Sequence, residues 1–224
     1  MTAGDAAPAS DNTRRSLRQN LILAATIIAS AMAFIDGSVV MIALPVIQSS
    51  FEASFQQVQW VVNAYTLMLG ALILIGGALG DRIGRKRVFA AGIAIFAVAS
   101  LLCGLAPNAA ILIAARAVQG IGAALLVPQS LAIIAASFPR EVRGRAIGLW
   151  AAASAITTAL GPALGGFLID TLSWRVAFLI NLPLSVVAVW LALAYVPESR
   201  DPTARGRIDW LGAGTRSPWL RWAR

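Results

Sequence analysis

A chain of 224 residues, 58% hydrophobic and only 12% charged, with a mean hydropathy of +0.77, lies far outside the range of water-soluble domains, where about a quarter of residues carry charge. The net charge of +8 would be a nucleic-acid footprint in a soluble protein, but here the cations fall in short breaks between long apolar runs, where they orient a membrane protein and leave no case for nucleic acid. With no histidine and a single cysteine, Cys103, inside an apolar run, the chain excludes histidine-dependent catalysis, histidine metal sites and an internal disulfide framework, so it is read as an integral membrane protein that is not an enzyme.

Residues 1–20 are rich in Ala, Ser, Thr and Asp and carry Arg14, Arg15 and Arg18, which predicts a disordered cytoplasmic tail. The apolar run 21–47 is longer than a signal-peptide core and has no clear small-residue cleavage site, so it reads as a first membrane span. Residues 48–59 hold Glu52 and no cation, which puts this connection outside. A second span, 60–79, is nearly charge-free and long enough to cross about 30 Å of hydrocarbon. The break that follows it carries Arg82, Arg85, Lys86 and Arg87 and reads as inside. The third span, 88–105, ends at the neutral turn Ala106-Pro107-Asn108, an outer hairpin. After the fourth span, 109–135, Arg140, Arg143 and Arg145 mark a second inner break. The fifth span, 146–169, returns outward to the turn 170–174, and the sixth, 175–195, brings the chain back inside at Pro197-Glu198-Ser199-Arg200. The expected fold is thus an all-α six-helix membrane bundle over residues 21–197, multi-pass in the inner (plasma) membrane with both termini cytoplasmic, followed by a cytoplasmic tail over 198–224. Neither period-two alternation nor hairpin punctuation supports a β-barrel.

Four stretches carry the candidate chemistry. The first inner break reads Gly77-Ala78-Leu79-Gly80-Asp81-Arg82-Ile83-Gly84-Arg85-Lys86-Arg87. Gly80 and Gly84 bracket its one acid and allow a sharp bend, so Asp81 is expected near Arg85 and a helix N-terminus. In the fourth span Arg116, Gln119, Gly120 and Ala123 share one helical face, and Arg116 lies about eight residues, or ~12 Å, below the outer turn, too deep for ready snorkelling. In the first span Asp36 lies ~13 Å below Pro45, at nearly the same depth as Arg116. Two opposite charges at one depth predict a pair across a polar cavity, either a proton-responsive site or a structural ion pair. In the fifth span Thr157-x-x-x-Gly161-Pro162-Ala163-Leu164-Gly165-Gly166 predicts a proline bend beside a smooth glycine face, Gly161 and Gly165 lying four apart.

Together these stretches resemble the major facilitator superfamily of transporters. The turn is similar to that family's gating-loop signature (Gly77, Gly80, Asp81, Arg82, Gly84, Arg85, Lys86), and the Arg116 row resembles the fourth-span signature whose arginine is implicated in proton coupling. The segment around Asp36 is similar to the first-span signature of the fourteen-span drug/proton antiporters, with Met41 where asparagine is usual. Residues Gly161, Pro162, Gly165 and Gly166 resemble the antiporter signature, with Thr157 where glycine is usual, and in that family the bend favours exchange. Trp174-Arg175-x-x-Phe178-Leu179-Ile180-Asn181-Leu182-Pro183 is similar to the sixth-span entry of the same group, and Arg207-Ile208-Asp209-Trp210-Leu211-Gly212-Ala213 to its seventh-span entry, which then breaks off in a tail too short to cross a bilayer. The likeness covers residues 20–213, less than half of such a transporter. It implies the amino-terminal half of a proton-coupled exporter of small amphipathic compounds or drugs, with Asp36 and Arg116 as the proton-coupling residues. The proton gradient would be the energy source and no cofactor or metal is needed; the implied partners are a small-molecule substrate, the lipid bilayer and a missing carboxy-terminal half. The rival expectation is a truncated, non-transporting remnant or an assembly partner.

Overall fold

The computed structural model describes residues 9–200, with side chains from residue 16 onward. Among these residues all regular structure is helical: α1 (Ala9–Phe51), α2 (Phe55–Ile83), α3 (Arg85–Gly104), α4 (Ala109–Ser137), α5 (Arg140–Thr171), the single turn α6 (Val176–Leu179) and α7 (Asn181–Tyr195). Among the described residues six segments are long and apolar enough to cross a membrane, α6 and α7 together forming the last over Val176–Tyr195. Helices are one of the two ways a chain can satisfy its backbone inside hydrocarbon, and here they take the whole span set.

The boundaries differ from the sequence expectation in three places. Helix α1 starts at Ala9, inside the stretch expected to be a disordered tail, because extending an existing helix adds one hydrogen bond per residue fixed and avoids a new nucleus. The basic turn expected over residues 77–87 contracts to one residue: α2 runs to Ile83, α3 begins at Arg85, and only Gly84 is non-helical. The sixth span breaks at Ile180, where Pro183 has no N–H to give the Leu179 carbonyl. The remainder of the expected 198–224 tail and the seventh-span start lie outside the described residues.

The helix starts at the end remote from Gly84 are capped by local side chains. Ser54 Oγ accepts from Gln57 N at 3.3 Å while Gln57 Oε1 accepts from Ser54 N at 2.9 Å, a reciprocal cap on α2. Asn108 Oδ1 accepts from Ile111 N at 2.9 Å at the start of α4.

Helix α4 is the centre of the bundle, packed along α2 and α3, while α1 packs along α5 and α7. Its small residues permit this: Gly122 lies against the α3 backbone, and a Cβ on the facing Gly92 would sit only 2.8 Å from Leu126 N. Two apolar clusters result. One gathers Met32, Phe89, Ile93, Phe96, Leu126 and Ile133; the other gathers Val40, Ile47, Val61, Leu112, Trp174 and Phe178. On α1, α3, α4 and α7 the residues between the two clusters are polar: Asp36, Ser100, Arg116, Gln119 and Asn181, all buried. A membrane protein gains little by burying such groups for stability, so this layer is the first place to look for function.

Candidate functional site

Asp36 belongs to the inward stripe of α1, Ala29, Ala33, Asp36, Val40, Ala43 and Ile47, whose steps of four and three follow the helical period. On α4 the stripe Leu112, Arg116, Gln119, Ala123 and Leu126 keeps the same period. Mostly small neighbours on the α1 stripe bring the two helices close enough for the charges to meet. Arg116 Nη1 donates to Asp36 Oδ2, with the side chains 1% and 0% exposed. Arg116 also donates from Nε to the Val61 carbonyl at 3.0 Å and from Nη1 to Gln119 Oε1 at 2.8 Å, and its guanidinium lies 4.2 Å from the centre of the Tyr65 ring. Gln119 Nε2 donates to Asp36 Oδ1 at 2.8 Å and to Ser100 Oγ at 2.9 Å. Asn181 Nδ2 makes two longer approaches, 3.4 Å to Asp36 Oδ1 and 3.3 Å to Ser100 Oγ.

Burying either charge alone would cost several kcal/mol, and here each is met by the other and by further hydrogen bonds. Tyr65 also opens the layer to a cleft of about 460 Å³ lined by Phe34, Gly37, Ser38, Leu69 and Thr158 among others. A larger recess of about 610 Å³ on the outer face of α2, at Trp60, Asn63, Thr66 and Leu67, contains no charged group and does not touch the pair.

The loop residues form a separate cluster at one end of the bundle. Arg85 donates to Asp81 Oδ1 from Nη2 at 2.7 Å and from Nε at 3.0 Å, and reaches the Ala132 carbonyl of α4 at 3.5 Å. The Asp81–Arg85 contact therefore joins the last turn of α2 to the first of α3, as expected. Lys86 Nζ donates to the Leu193 carbonyl at 2.7 Å; Arg82 lies in the last turn of α2, Gly77 faces Pro128 at a distance, and Gly80 lies against the Gln129 side chain. Glu198 adds a contact that sequence reasoning missed. Its Oε1 accepts from Lys86 N at 3.3 Å and its Oε2 lies 3.5 Å from Arg87 Nε, while Arg85 N donates to the Ser199 carbonyl at 3.0 Å. The segment after α7 thus caps α3, whose first N–H groups would otherwise lack partners.

In α5 the stretch from Gly161 to Gly165 lies against α1. A Cβ on Gly161 would overlap Ser38 and one on Gly165 would sit 3.0 Å from Val39, whereas Gly166 faces open space. Pro162 lies inside the helix between them. The structure therefore joins Asp36 with Arg116 and brings the α5 glycines beside the α1 residues Ser38 and Val39. The basic loop around Gly84 remains apart from the charge pair. Tyr65, Ser100 and Asn181 were not named as site residues from sequence, though Ser100 and Asn181 were visible as polar residues inside apolar runs.

The family profile described as Major Facilitator Superfamily matches residues 26–223. Among curated proteins the chain is 43% identical over 195 residues to the multidrug resistance protein Stp of Mycobacterium tuberculosis, covering 87% of this chain and 36% of that one. It is 41% identical over 202 residues to the drug efflux pump JefA of the same organism, covering 90% and 40%. It is 37% identical over 205 residues to the methylenomycin A resistance protein of Streptomyces coelicolor, covering 89% and 43%. The chain thus spans less than half the length of these relatives. Among solved structures, a bacterial homolog of the human lysosomal transporter Spinster superposes with a TM-score of 0.67 at 23% identity, covering 88% of this chain and 47% of that one, which shows a shared fold. With the profile match over most of its length, the six apolar helices and this shared fold, the chain belongs to the Major Facilitator Superfamily.

Proposed function

We propose that the chain works as the amino-terminal half of a proton-coupled exporter of small amphipathic compounds, completed by a second six-helix unit. The observation that carries this reading is the buried Asp36–Arg116 pair, held in a polar layer and adjoined by a largely apolar cleft. Secondary transporters bind substrate and coupling ion near the midplane between two repeats, and a carboxylate that alternates between a guanidinium and a proton supplies the coupling without a cofactor. The drug-efflux and multidrug-resistance relatives support a small-molecule substrate. The cation distribution supports an inner-membrane topology with both termini cytoplasmic: Arg82, Arg85, Lys86, Arg87, Arg140, Arg143 and Arg145 lie in the two breaks read as inner, against Arg175 at an outer edge.

The test is export of an amphipathic dye from cells lacking their own pumps, expressing this chain with and without the carboxy-terminal half of a relative. Export that needs both halves and a proton gradient is the expected result. Asp36→Asn should retain dye binding and lose the gradient dependence. Gradient-driven export unchanged in Asp36→Asn would remove the coupling role from this residue, and no export with any second half would favour a non-transporting remnant.

A further inference from the structure

The polar layer contains one atom whose chemistry is unanswered. Asn181 is fully buried, and its Oδ1 has no hydrogen-bond partner, while its Nδ2 reaches Asp36 and Ser100 only at 3.4 and 3.3 Å. An orphaned acceptor beside a buried carboxylate is costly unless another state of the site uses it.

We infer that Asn181 is the hydrogen-bond acceptor for protonated Asp36: when the acid takes up its proton, the Asn181 amide turns over and offers Oδ1 where it now offers its NH2. This inference rests on the reading of Asp36 as the proton-carrying group. The step adds one proton from water to a carboxylate lone pair; no electrons move, and the change at Asn181 is a rotation.

The partners of Asp36 leave this as the one arrangement without a donor-to-donor clash. Oδ2 is held by Arg116, so the proton goes to Oδ1. Oδ1 is faced by two NH2 groups, those of Gln119 at 2.8 Å and Asn181 at 3.4 Å, and an O–H there needs an acceptor instead. Gln119 is not free to turn. Its Oε1 already accepts from Arg116 Nη1 at 2.8 Å and lies 3.5 Å from Cys103 Sγ, so reversal would press an NH2 against the guanidinium. Asn181 gives up only two long contacts and gives its orphan oxygen a donor. Ser100 supports either state, since its hydroxyl accepts from Gln119 and Asn181 now and can rotate to donate to the turned Oδ1.

The groups facing Asp36 permit the assignment. Arg116 of α4 is its ion partner, and the Tyr65 phenol of α2 and the Cys103 thiol of α3 interact with it electrostatically. The titratable groups of α5 lie at its two ends, α6 has none, and α7 has only Tyr195 at its last residue. Asn181 is thus a positioning residue that reads the protonation state of Asp36 and registers it at the start of α7.

The test is isotope-edited infrared spectroscopy of the full chain in lipid vesicles, with carbon-13 in the asparagine side-chain amides and Asn181→Val used to identify the Asn181 band. On acidification a protonated-carboxyl band should appear, be absent in Asp36→Asn, and be accompanied at the same midpoint by a move of the Asn181 carbonyl band to lower frequency. In Asp36→Asn the Asn181 band should show no movement on acidification. An Asp36 acid band without movement at Asn181 overturns this inference and leaves the proton reading of Asp36 standing. No acid band, or one that survives Asp36→Asn, overturns both.

Discussion

Asp36 and Arg116 stand eighty positions apart in the chain and form a direct ion pair with neither side chain more than 1% exposed. They are the only charged residues among the buried side chains described. Removing one should therefore harm more than the loss of a contact, because the survivor is a buried charge without its counter-ion. Asp36→Leu or Arg116→Leu is expected to lower stability by about 3–5 kcal/mol, and the double variant by clearly less than the sum. Denaturant unfolding of the four proteins in detergent measures the coupling; additive losses would show that the pair is not a thermodynamic unit.

Gly84 is the sole described glycine with positive φ, 124°, and a Cβ there would overlap the Glu198 carboxylate. Gly84→Ala should cost about 1–3 kcal/mol through strain and loss of the cap on α3. Gly148→Ala, in open space on α5, should be neutral or stabilising by up to about 1 kcal/mol. Asp81→Asn, whose partner Arg85 is partly exposed, should cost no more than about 1 kcal/mol and less in high salt. Melting temperatures of the three variants give the order; a neutral Gly84→Ala would mean that the loop relaxes.

The α5 glycines should divide by what they face. Gly161→Val and Gly165→Val push into Ser38 and Val39 of α1 and are expected to lose about 1–3 kcal/mol, while Gly166→Ala changes little. The check is the yield of folded monomer and its melting temperature. Equal behaviour at all three positions would show that α1 and α5 are not held at this separation.

Topology is open to direct measurement. Single cysteines placed at Asn108 and Arg143 in a Cys103→Ala background should label from opposite sides of the membrane, Asn108 from outside and Arg143 from the cytoplasm. Labelling of Asn108 from the cytoplasmic side would invert the orientation and with it the assignment of the Gly84 loop.

Hydropathy and counting along the chain were enough to find the six spans, to put Asp36 and Arg116 at one depth and to bring Asp81 to Arg85, because depth in a bilayer is 1.5 Å per helical residue from an identifiable end. The break at Ile180, the shrinkage of the basic turn to Gly84 and the cap from Glu198 were not legible, since each depends on which chain segments lie beside one another. Gln119 was visible on the Arg116 face, but its role in holding Asp36 was not, and Tyr65, Ser100 and Asn181 come from three other helices. Depth is written in one dimension along the sequence, whereas the rotation of each helix and the choice of its neighbours are settled by close packing of small residues such as Gly92 against α4 and Gly161 against α1, and that packing decided which polar groups meet the charge pair.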